Sequence, residues 1–555
     1  MINLYFAILF KDIPQSYYSE DGKTLNKVQD DYPDLRISSR CETISDECFS
    51  ELKTLKSFTF EENPNLITIG KKSFYECTKL TTIDLSACNR LTKISDNAFH
   101  HCTRVTQLIL PRNLIEIRKF AFQGCPHLIN LTIPSSVKFI GSQAFSDCVS
   151  LTNVNFEDGS QLISIEYLLF DNTNFDTFQI PENVVRVHGR AFYNNQLRSI
   201  TVHPSNQFLT VEDNVVYSKD KTVLYFFCKL PGENYEIPST VTRIGTRCLS
   251  GSSIKHLTIP ANVKNIESLV FFECTNLRSV TFQGPLNYMG ASVFALCLYL
   301  TKVVNINNIP DKCFDRCRGL KEVTILEGTT MIGVQSFTAC NSLEGITIPS
   351  SIETISDKSF NKCKKLKSIT FASSNSLSNI SINAFSGCES LTNISSFESD
   401  IYKCSFNTIY YKNNTKLDLI FHLSTSIDDV LIINCDVIRQ NSFIECNNII
   451  NISIAPNSVS LIESNSFNDC KNLTYINFPL SVEIVQPDAF VECKSIQCPL
   501  IIENKSLKYL NMIIESGIPR ELIIQCRVIH GSHDLPFLKQ LFNSSPSLFW
   551  QYLSK

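Results

Sequence analysis

Apolar positions recur along this chain at a nearly constant spacing, and each recurrence ends in a phenylalanine in the same local setting. Most gaps between these phenylalanines are 20 to 25 residues, which is the period of a solenoid built from stacked short units. Leu249 occupies one of the positions. We call the series the anchors: Phe49, Phe74, Phe99, Phe122, Phe145, Phe170, Phe192, Leu249, Phe271, Phe294, Phe314, Phe337, Phe360, Phe385, Phe443, Phe467 and Phe490.

One regular unit shows what each repeat is expected to form. Leu131–Ile133 alternates apolar, polar and apolar residues, which predicts a short strand with one buried face. Pro134 ends the strand, and Val137 and Ile140 form a second inward-facing step. Gly141–Cys148 then predicts a tight turn or a single helical turn. The pattern predicts an α/β solenoid of about 17 strand-plus-turn/helix repeats, in which each unit buries its apolar face against its neighbours.

Two anchor gaps are much longer than the rest, from Phe192 to Leu249 and from Phe385 to Phe443. Residues 211–224 and 407–417 each read as two strands around a polar turn, which predicts an inserted β-hairpin. Residues 17–25 resemble a third copy. The expected organisation is an N-terminal cap with hairpin over 1–40, a block of seven repeats over 41–206, a hairpin and seven repeats over 207–400, a hairpin and three repeats over 401–498, and a C-terminal cap over 499–555.

The charge and hydropathy of the chain argue against several classes of partner. The formal net charge is −4 over 555 residues, and no run of lysine and arginine occurs. We therefore expect neither nucleic acid nor an anionic membrane surface as a partner. No apolar run approaches the roughly 18 residues of a membrane-spanning helix, so we expect no transmembrane segment. Leu4–Phe10 fits either a signal-peptide core or a cap strand; the absence of a basic flank and the poor cleavage site at Lys11–Pro14 favour the cap strand.

Thirteen of the 23 cysteines follow the repeat rather than a disulfide framework. Four repeats place Leu52, Thr173, Asn195 or Ser252 where the others place cysteine, which a packing position tolerates and a covalent bridge does not. We expect buried free thiols that act as small apolar side chains. The third residue after the anchor is cysteine at Cys77, Cys102, Cys125, Cys148, Cys274, Cys297, Cys317, Cys340, Cys363, Cys388, Cys446, Cys470 and Cys493.

The sequence contains no GxSxG, HExxH or paired CxxC motif and no glycine-rich phosphate loop. His100–Cys102 and Cys125–His127 lie one repeat apart, and Cys493 lies near Cys498, but none of these has the spacing of a zinc site. Carboxylates and the nine histidines are scattered over different repeats. The expectation is a protein without catalytic, metal-binding or cofactor-binding residues.

Two sets of residues are candidates for partner binding. The outward position of each predicted strand is often threonine, which suits either an exposed strand site or a flat recognition face. Among these, Thr132, Thr258 and Thr347 are the chosen binding candidates. The inserted hairpins carry aromatic residues that fit either partner contacts or a small core beneath the hairpin. The candidates there are Tyr217, Tyr225, Tyr410 and Tyr411.

The motifs of the regular repeats resemble those of the BspA-type leucine-rich repeat. The resemblance is carried by Leu131–Val137, with Ile140–Gly141, Ala144–Phe145 and Cys148 after it, and by Ile346–Ile352. It extends from about Cys41 to Cys493, and Val215–Lys221 is similar to a recurrent element of the family. It implies a leucine-rich-repeat solenoid without catalytic residues, surface-associated or secreted, that adheres to host or bacterial surface proteins.

Two functions follow from these observations. The first is an extracellular adhesin or surface antigen, which should carry glycan at Asn413. The second is an intracellular scaffold, favoured by the free thiols and by the weak signal-peptide features. The chain lacks the C-terminal spanning helix of membrane-anchored family members, which weakens the first interpretation.

Overall fold

A computed structural model describes residues 10–29, 31–423, 430–443 and 446–526. The chain divides into two compact units. The first comprises residues up to Lys255 together with Ile259–Cys274 and Leu286–Val293, and the second comprises the remainder. Residues 1–9, which include most of the Leu4–Phe10 segment, lie outside the described residues.

Each regular repeat forms one layer with a long strand, a short strand and a turn. The long-strand series of the first unit is Lys11–Asp12, Asp34–Ile37, Ser57–Phe60, Thr82–Asp84, Gln107–Ile109, Asn130–Ile133, Asn153–Phe156, Thr177–Ile180 and Ser199–Val202. Its short strands are Thr24–Leu25, Thr43–Ile44, Thr68–Ile69, Lys93–Ile94, Glu116–Ile117, Phe139–Ile140, Ser164–Ile165, Arg186–Val187, Arg243–Ile244, Asn265–Ile266 and Tyr288–Met289.

The second unit repeats this arrangement. Its long-strand series is Ser279–Phe282, Lys302–Ile306, Glu322–Ile325, Gly345–Ile348, Ser368–Phe371, Asn393–Ile394, Leu431–Ile433, Asn451–Ile454, Tyr475–Phe478 and Ile501–Ile502, and His256–Ile259 is a further long strand. Its short strands are Met331–Ile332, Thr354–Ile355, Asn379–Ile380, Val437–Ile438, Leu461–Ile462 and Ile484–Val485. The described strands therefore form a solenoid whose layer count differs slightly from the expected 17.

Parallel pairing in register joins consecutive layers. Asn130–Ile133 pairs residue for residue with Asn153–Phe156, and Glu116–Ile117 pairs with Phe139–Ile140. Within Asn130–Ile133 the leucine and isoleucine are buried while the asparagine and threonine are exposed. The alternation that predicted this strand thus directs its apolar side chains into the layer.

The anchor segments form turns rather than helices. Gln143 and Asp147, two residues before and after Phe145, have φ of 61° and 60°. This alternation points the backbone N–H groups of all three residues toward the next layer, where they donate to the carbonyls of Tyr167, Leu169 and Asp171. The anchor turn therefore continues the hydrogen bonding between layers, and of the expected alternatives, turn or helical turn, the turn is found.

The anchor rings are buried and stack on one another. In the first unit the ring centroids of Phe99 and Phe122 are 5.3 Å apart, and in the second unit those of Phe337 and Phe360 are 5.1 Å apart. The stacked phenylalanines fill the interior of each unit along its length. The anchors singled out as structural are all buried: Phe74, Phe99, Phe122, Phe145, Phe294, Phe337, Phe360, Phe385, Phe467 and Phe490.

The thirteen repeat cysteines are buried free thiols, as expected. The structure adds a role that their spacing did not indicate. The thiol of Cys77 donates to the carbonyl oxygen of Phe49, 3.1 Å away in the preceding layer, and Cys363 donates to Phe337 at 3.0 Å. Leu52 stands at this position in the first anchor repeat, which has no preceding anchor to contact. The cysteines therefore link layers by S–H donation as well as by packing.

The inserts contain more strands than the predicted hairpins, one more in the first insert and two more in the second. The first is the antiparallel set Leu209–Glu212, Val215–Ser218 and Val223–Phe227. The second is Tyr402–Ser405, Thr408–Asn413 and Lys416–His422, preceded by Phe397–Glu398. The last strand of each insert pairs in parallel with a short strand of the solenoid. Each added strand begins before the segment read as a hairpin, where the apolar pattern is too short to be distinguished from a loop.

Two helices close the second unit. Leu507–Glu515 begins at Ser506, whose hydroxyl accepts a hydrogen bond from the N–H of Tyr509, and Arg520–Cys526 follows. The N–H of Phe490 donates to the carbonyl of Ser516 at 2.7 Å, as it would to a further layer. A disulfide joins Cys498 to Cys526. The helices therefore cover the last layer; the rest of the expected cap, from 527, lies outside the described residues.

Candidate functional site

The threonine candidates lie where the sequence pattern placed them. Thr132, Thr258 and Thr347 are exposed, each between two buried residues of its strand. In the first unit Thr132 is paired with Asn155, and in the second unit Thr347 is paired with Thr370. The outward side of the long strands, which we call the long-strand face, therefore carries adjacent uncharged polar side chains. Their role in binding stays a prediction.

The aromatic candidates of the inserts differ in exposure. Tyr217 is buried, Tyr225 and Tyr410 are half-buried, and Tyr411 is exposed. Burial raises the pKa of Tyr410 to about 12 and also raises the pKa of Tyr217 and Tyr225. Burial of Tyr217 supports the core interpretation for that residue, because its ring is not available to a partner. Tyr411 is the tyrosine of this set whose ring presents the largest surface to solvent.

The two inserts and the N-terminal segment share one tyrosine position. Tyr217 is paired with Leu224 and Tyr410 with Leu419, and Tyr18 forms an isolated bridge with Leu25. Each of these leucines pairs in parallel with an isoleucine of the next short strand. The equivalent of Tyr217 in the second insert is therefore Tyr410, and the segment between the paired tyrosine and leucine is two residues longer there than in the first insert.

A second equivalence identifies a residue that the sequence reasoning missed. The first insert turns at Asp213–Asn214 and the second at Phe406–Asn407, and all four residues have positive φ. Asn214 accepts a hydrogen bond from the N–H of Ile200 at 3.2 Å, and Asn407 accepts one from Ile394 at 2.8 Å. Both turns therefore lie beside a long strand, and the second carries a phenylalanine where the first carries an aspartate.

Both the exposure and the backbone conformation of Phe406 are unfavourable for a phenylalanine. Its side chain is 87% exposed, and its φ of 48° lies in the left-handed region, which is unusual for a bulky residue. Such a conformation costs roughly 1–3 kcal/mol and recurs at functional sites. Turns of this kind favour asparagine, aspartate and glycine. An alignment of Ser405–Asn407 with Glu212–Asn214 would have shown that Phe406 stands at a turn position. Without that alignment, the phenylalanine fits an apolar strand.

His100 and Cys102, which were considered for metal binding, make ring contacts and hydrogen bonds to neighbouring residues. The imidazole of His100 stacks between Tyr75 and His101 and hydrogen-bonds Gln123, while Cys102 donates to Phe74. Burial lowers the pKa of His100. Over the described ranges, no group of three or more His, Cys, Asp or Glu side chains is placed to hold a metal ion. The same ranges contain no helix with the length and hydrophobicity needed to cross a bilayer.

The sequence comparisons identify the family. The BspA type leucine-rich repeat region matches residues 29–152, 92–223, 223–309, 307–435 and 397–497, which together cover most of the chain. The chain belongs to the BspA-type leucine-rich repeat family. Leucine-rich-repeat solenoids generally bind proteins and are generally not enzymes. None of the curated proteins compared with this BspA-type chain matches it significantly.

Several solved structures are similar to this BspA-type chain. A leucine-rich repeat protein from Bacteroides ovatus is 25% identical over 68% of this chain and 91% of its own, with a TM-score of 0.39. A leucine-rich cell surface protein from Faecalibacterium prausnitzii is 24% identical over 69% and 92%, with a TM-score of 0.38. The pneumococcal vaccine antigen PcpA is 19% identical over 68% and 77%, with a TM-score of 0.31.

Proposed function

We propose that this BspA-type protein is a non-enzymatic adhesin or surface antigen that binds proteins on host or other cells. The observation that carries the proposal is Phe406, an exposed aromatic ring held in a left-handed turn beside the long-strand face. Neither burial nor turn preference accounts for a phenylalanine there, whereas contact with a partner would. Large aromatic side chains are enriched among the residues that dominate binding energy.

The surroundings of Phe406 extend the surface that a partner would contact. Asn407 is hydrogen-bonded to Ile394, whose strand pairs with Ser368–Phe371, and Thr370 of that strand pairs with Thr347. The turn at Phe406–Asn407 therefore adjoins a run of exposed threonines within the second unit. An apolar projection beside an uncharged polar face fits a folded protein surface better than nucleic acid, which requires positive charge.

A paired capture experiment tests binding through this surface. Wild-type protein and the Phe406→Asp variant are immobilised and incubated with solubilised surface proteins of candidate host cells. Aspartate is the residue that the first insert carries at the equivalent turn position, so the fold should be retained. Ile163→Asp is the matched control, because Ile163 is another exposed apolar side chain that precedes a short strand.

The proposal predicts at least one protein captured equally by wild type and Ile163→Asp. That protein should be depleted roughly tenfold or more on Phe406→Asp, since loss of a dominant aromatic contact typically costs 2 kcal/mol or more. Identical captured sets from wild type and Phe406→Asp would refute the proposed binding surface.

The disulfide between Cys498 and Cys526 favours the extracellular location. Disulfides persist mainly in secreted and surface proteins and are rare in reducing compartments. The 21 free cysteines do not oppose this location, because all but Cys228 are buried.

The intracellular scaffold remains the second candidate, supported by the same large number of free thiols. Protease treatment of intact cells, followed by antibody detection, separates the two locations. Loss of signal supports the surface protein. Signal that resists protease until the cells are permeabilised would instead support the scaffold, in which Cys498 and Cys526 should be found reduced.

A further inference from the structure

The anchor turns of the second unit bring together cations that are separated in the sequence. In the repeats anchored by Phe314 and Phe360, the second residue before the anchor and the second and fourth residues after it are all lysine or arginine. No other anchored repeat of the chain has a cation at all three positions. These side chains are exposed. We call them the basic turn face: Lys312, Arg316, Arg318, Lys358, Lys362 and Lys364.

Hydrogen bonds between the anchor turns place these cations in two layers with an uncharged layer between them. The N–H of Arg316 donates to the carbonyl of Thr338, and the N–H of Ala339 donates to that of Asn361. Arg316, Ala339 and Lys362 are therefore successive members of one row that crosses three layers. At the spacing of paired strands, the two charged layers are about 10 Å apart.

Two carboxylates beside the basic turn face are engaged in hydrogen bonds to the next layer. The carboxylate of Asp311 accepts the N–H of Val334 at 2.7 Å. That of Asp357 accepts the hydroxyl of Ser381 at 3.2 Å and the side-chain amide of Asn383 at 3.1 Å. In the described part of the chain, neither carboxylate forms a salt bridge with the basic turn face.

Two members of the basic turn face do have an acidic neighbour. Asp315 lies 3.9 Å from Arg316, and Glu389 lies 3.2 Å from Lys364. Such partly exposed pairs are weak, so an incoming anion can replace the carboxylate. Over residues 311–318, 334–341 and 357–364, six cations stand against three carboxylates, although the whole chain has a net charge of −4. Within the described ranges, no salt bridge is found for the other four members, which are Lys312, Arg318, Lys358 and Lys362.

The uncharged layer suits a polymer that alternates anionic and hydroxyl groups. Gln335 and Asn341 are half-buried between the charged layers, and their side chains are amides. Ala339 is small, so the longer Arg316 and Lys362 on either side of it can contact one polymer chain. In a sulfated polysaccharide, the sulfate groups would contact the cations, and the sugar hydroxyls between them would meet the amides.

The basic turn face lacks the features by which nucleic acids are usually bound. No aromatic residue stands at the three turn positions of these layers, so unpaired bases have no ring on which to stack. The anchor turns are neither a helix nor a two-stranded ribbon that could enter the major groove of a duplex. A sulfated polysaccharide is therefore the better match.

We propose that the basic turn face binds sulfated polysaccharide chains. Exposed charges of this kind are screened by salt and raise the rate of association more than the final affinity. The basic turn face would therefore help to bring the protein to a sulfated surface. This contact is separate from the one proposed for Phe406, and each can fail without the other.

Titration of the full-length protein with a fluorescently labelled heparin oligosaccharide at low ionic strength tests this proposal. The test variant combines Lys358→Gln, Lys362→Ala and Lys364→Asn. It gives this charged layer the residues that the middle layer carries at the same positions, where Gln335 and Ala339 also have positive φ. The turns should therefore fold unchanged, which an equal melting temperature verifies.

The control variant combines Lys302→Gln, Lys416→Gln and Lys505→Gln. It removes the same charge from exposed sites of the same unit that lie outside the basic turn face. The dissociation constant for heparin should rise roughly tenfold or more in the test variant and stay unchanged in the control variant, because polyanion affinity depends steeply on the number of charge contacts. Phe406→Asp should also leave heparin binding unchanged.

Two further probes determine which anion the basic turn face takes. Chemically desulfated heparin, which keeps its carboxylates, and a DNA duplex of similar length should each bind wild type roughly tenfold more weakly than heparin does. Equal heparin binding by wild type and the test variant would overturn the proposal. Desulfated heparin that binds as tightly as heparin would also overturn it, and DNA bound as tightly as heparin would assign the basic turn face to nucleic acid instead.

Discussion

The thiol of Cys102 donates a hydrogen bond to the carbonyl oxygen of Phe74, 3.2 Å away in the preceding layer. The same carbonyl also accepts the N–H of Cys77 from its own layer. A cysteine at this position therefore fills space beside one anchor and connects it to the anchor before it. This explains why cysteine, rather than alanine or valine, recurs in thirteen repeats.

Replacing Cys102 by alanine should cost more stability than replacing an equally buried cysteine without this contact. Cys88 is the matched residue; it is buried, and among the described residues no hydrogen bond from its sulfur is found. We expect Cys102→Ala to lose roughly 0.5–1 kcal/mol more than Cys88→Ala, the contribution of one hydrogen bond. Urea unfolding of the two variants measures the difference, and equal losses would show that the cysteines only fill space.

The buried thiols should make the protein sensitive to alkali. Burial raises the pKa of Cys77 and Cys148 to about 12, and it raises the pKa of Cys102 and Cys125 well above the usual range. In the unfolded chain these thiols ionise near pH 9, whereas in the folded protein they stay protonated. Their contribution to stability is therefore complete below pH 9 and decreases above it, by about 1.4 kcal/mol per pH unit for each thiol.

Thermal unfolding between pH 8 and pH 10 measures this effect. The melting temperature should fall steeply above pH 9, and the fall should be shallower in a Cys102→Ala, Cys125→Ala double variant. A melting temperature that is constant over this range would contradict the burial of protonated thiols.

Two buried serines, each directly before an anchor, should respond oppositely to replacement by alanine. The hydroxyl of Ser359 is buried and has no hydrogen-bond partner in the described part of the chain, whereas that of Ser442 donates to the carbonyl of Leu419 at 2.9 Å. Ser359→Ala should stabilise the protein by about 1 kcal/mol, because it removes an unsatisfied polar group, and Ser442→Ala should destabilise it by a similar amount. Destabilisation by both changes in denaturant titrations would refute this assignment.

Truncation of an anchor should disrupt its layer, whereas replacement of the exposed Phe406 should not. The ring of Phe145 is buried 5.4 Å from that of Phe122 and 6.1 Å from that of Phe170. Phe145→Ala should cost roughly 3–5 kcal/mol. Phe406→Asp should leave stability unchanged or raise it, since aspartate tolerates the left-handed turn. An unchanged midpoint for Phe145→Ala in chemical denaturation would contradict the layer model.

The repeat period made much of the fold predictable. The spacing of residues such as Phe99, Phe122 and Phe145 identifies the layers, and alternation in Leu131–Ile133 identifies the long strands. The sequence indicated the short strands only through buried apolar residues such as Val137 and Ile140, because a strand of two residues is too short to show an alternating pattern. The thiol hydrogen bonds depend on the direction of the sulfur toward the preceding layer, which spacing along the chain does not specify.

The candidate site was less predictable than the fold. The outward position of Thr132, Thr258 and Thr347 follows directly from strand alternation. The exposure of Tyr411 and the burial of Tyr217 depend on how each insert folds onto its solenoid, which composition does not determine. The pairing of Cys498 with Cys526 joins residues 28 positions apart, and sequence alone does not give the connectivity of a disulfide.

Adhesion of protein-coated beads to cells tests whether the protein binds cell-surface proteins through Phe406. Beads carrying wild-type protein, Phe406→Asp or Ile163→Asp are applied under flow to candidate host cells, with and without prior trypsin treatment of the cells, and the retained beads are counted. We expect retention of wild-type and Ile163→Asp beads, loss of retention with Phe406→Asp, and loss after trypsin treatment. Equal retention of wild-type and Phe406→Asp beads, or retention that survives removal of the cell-surface proteins, would contradict it.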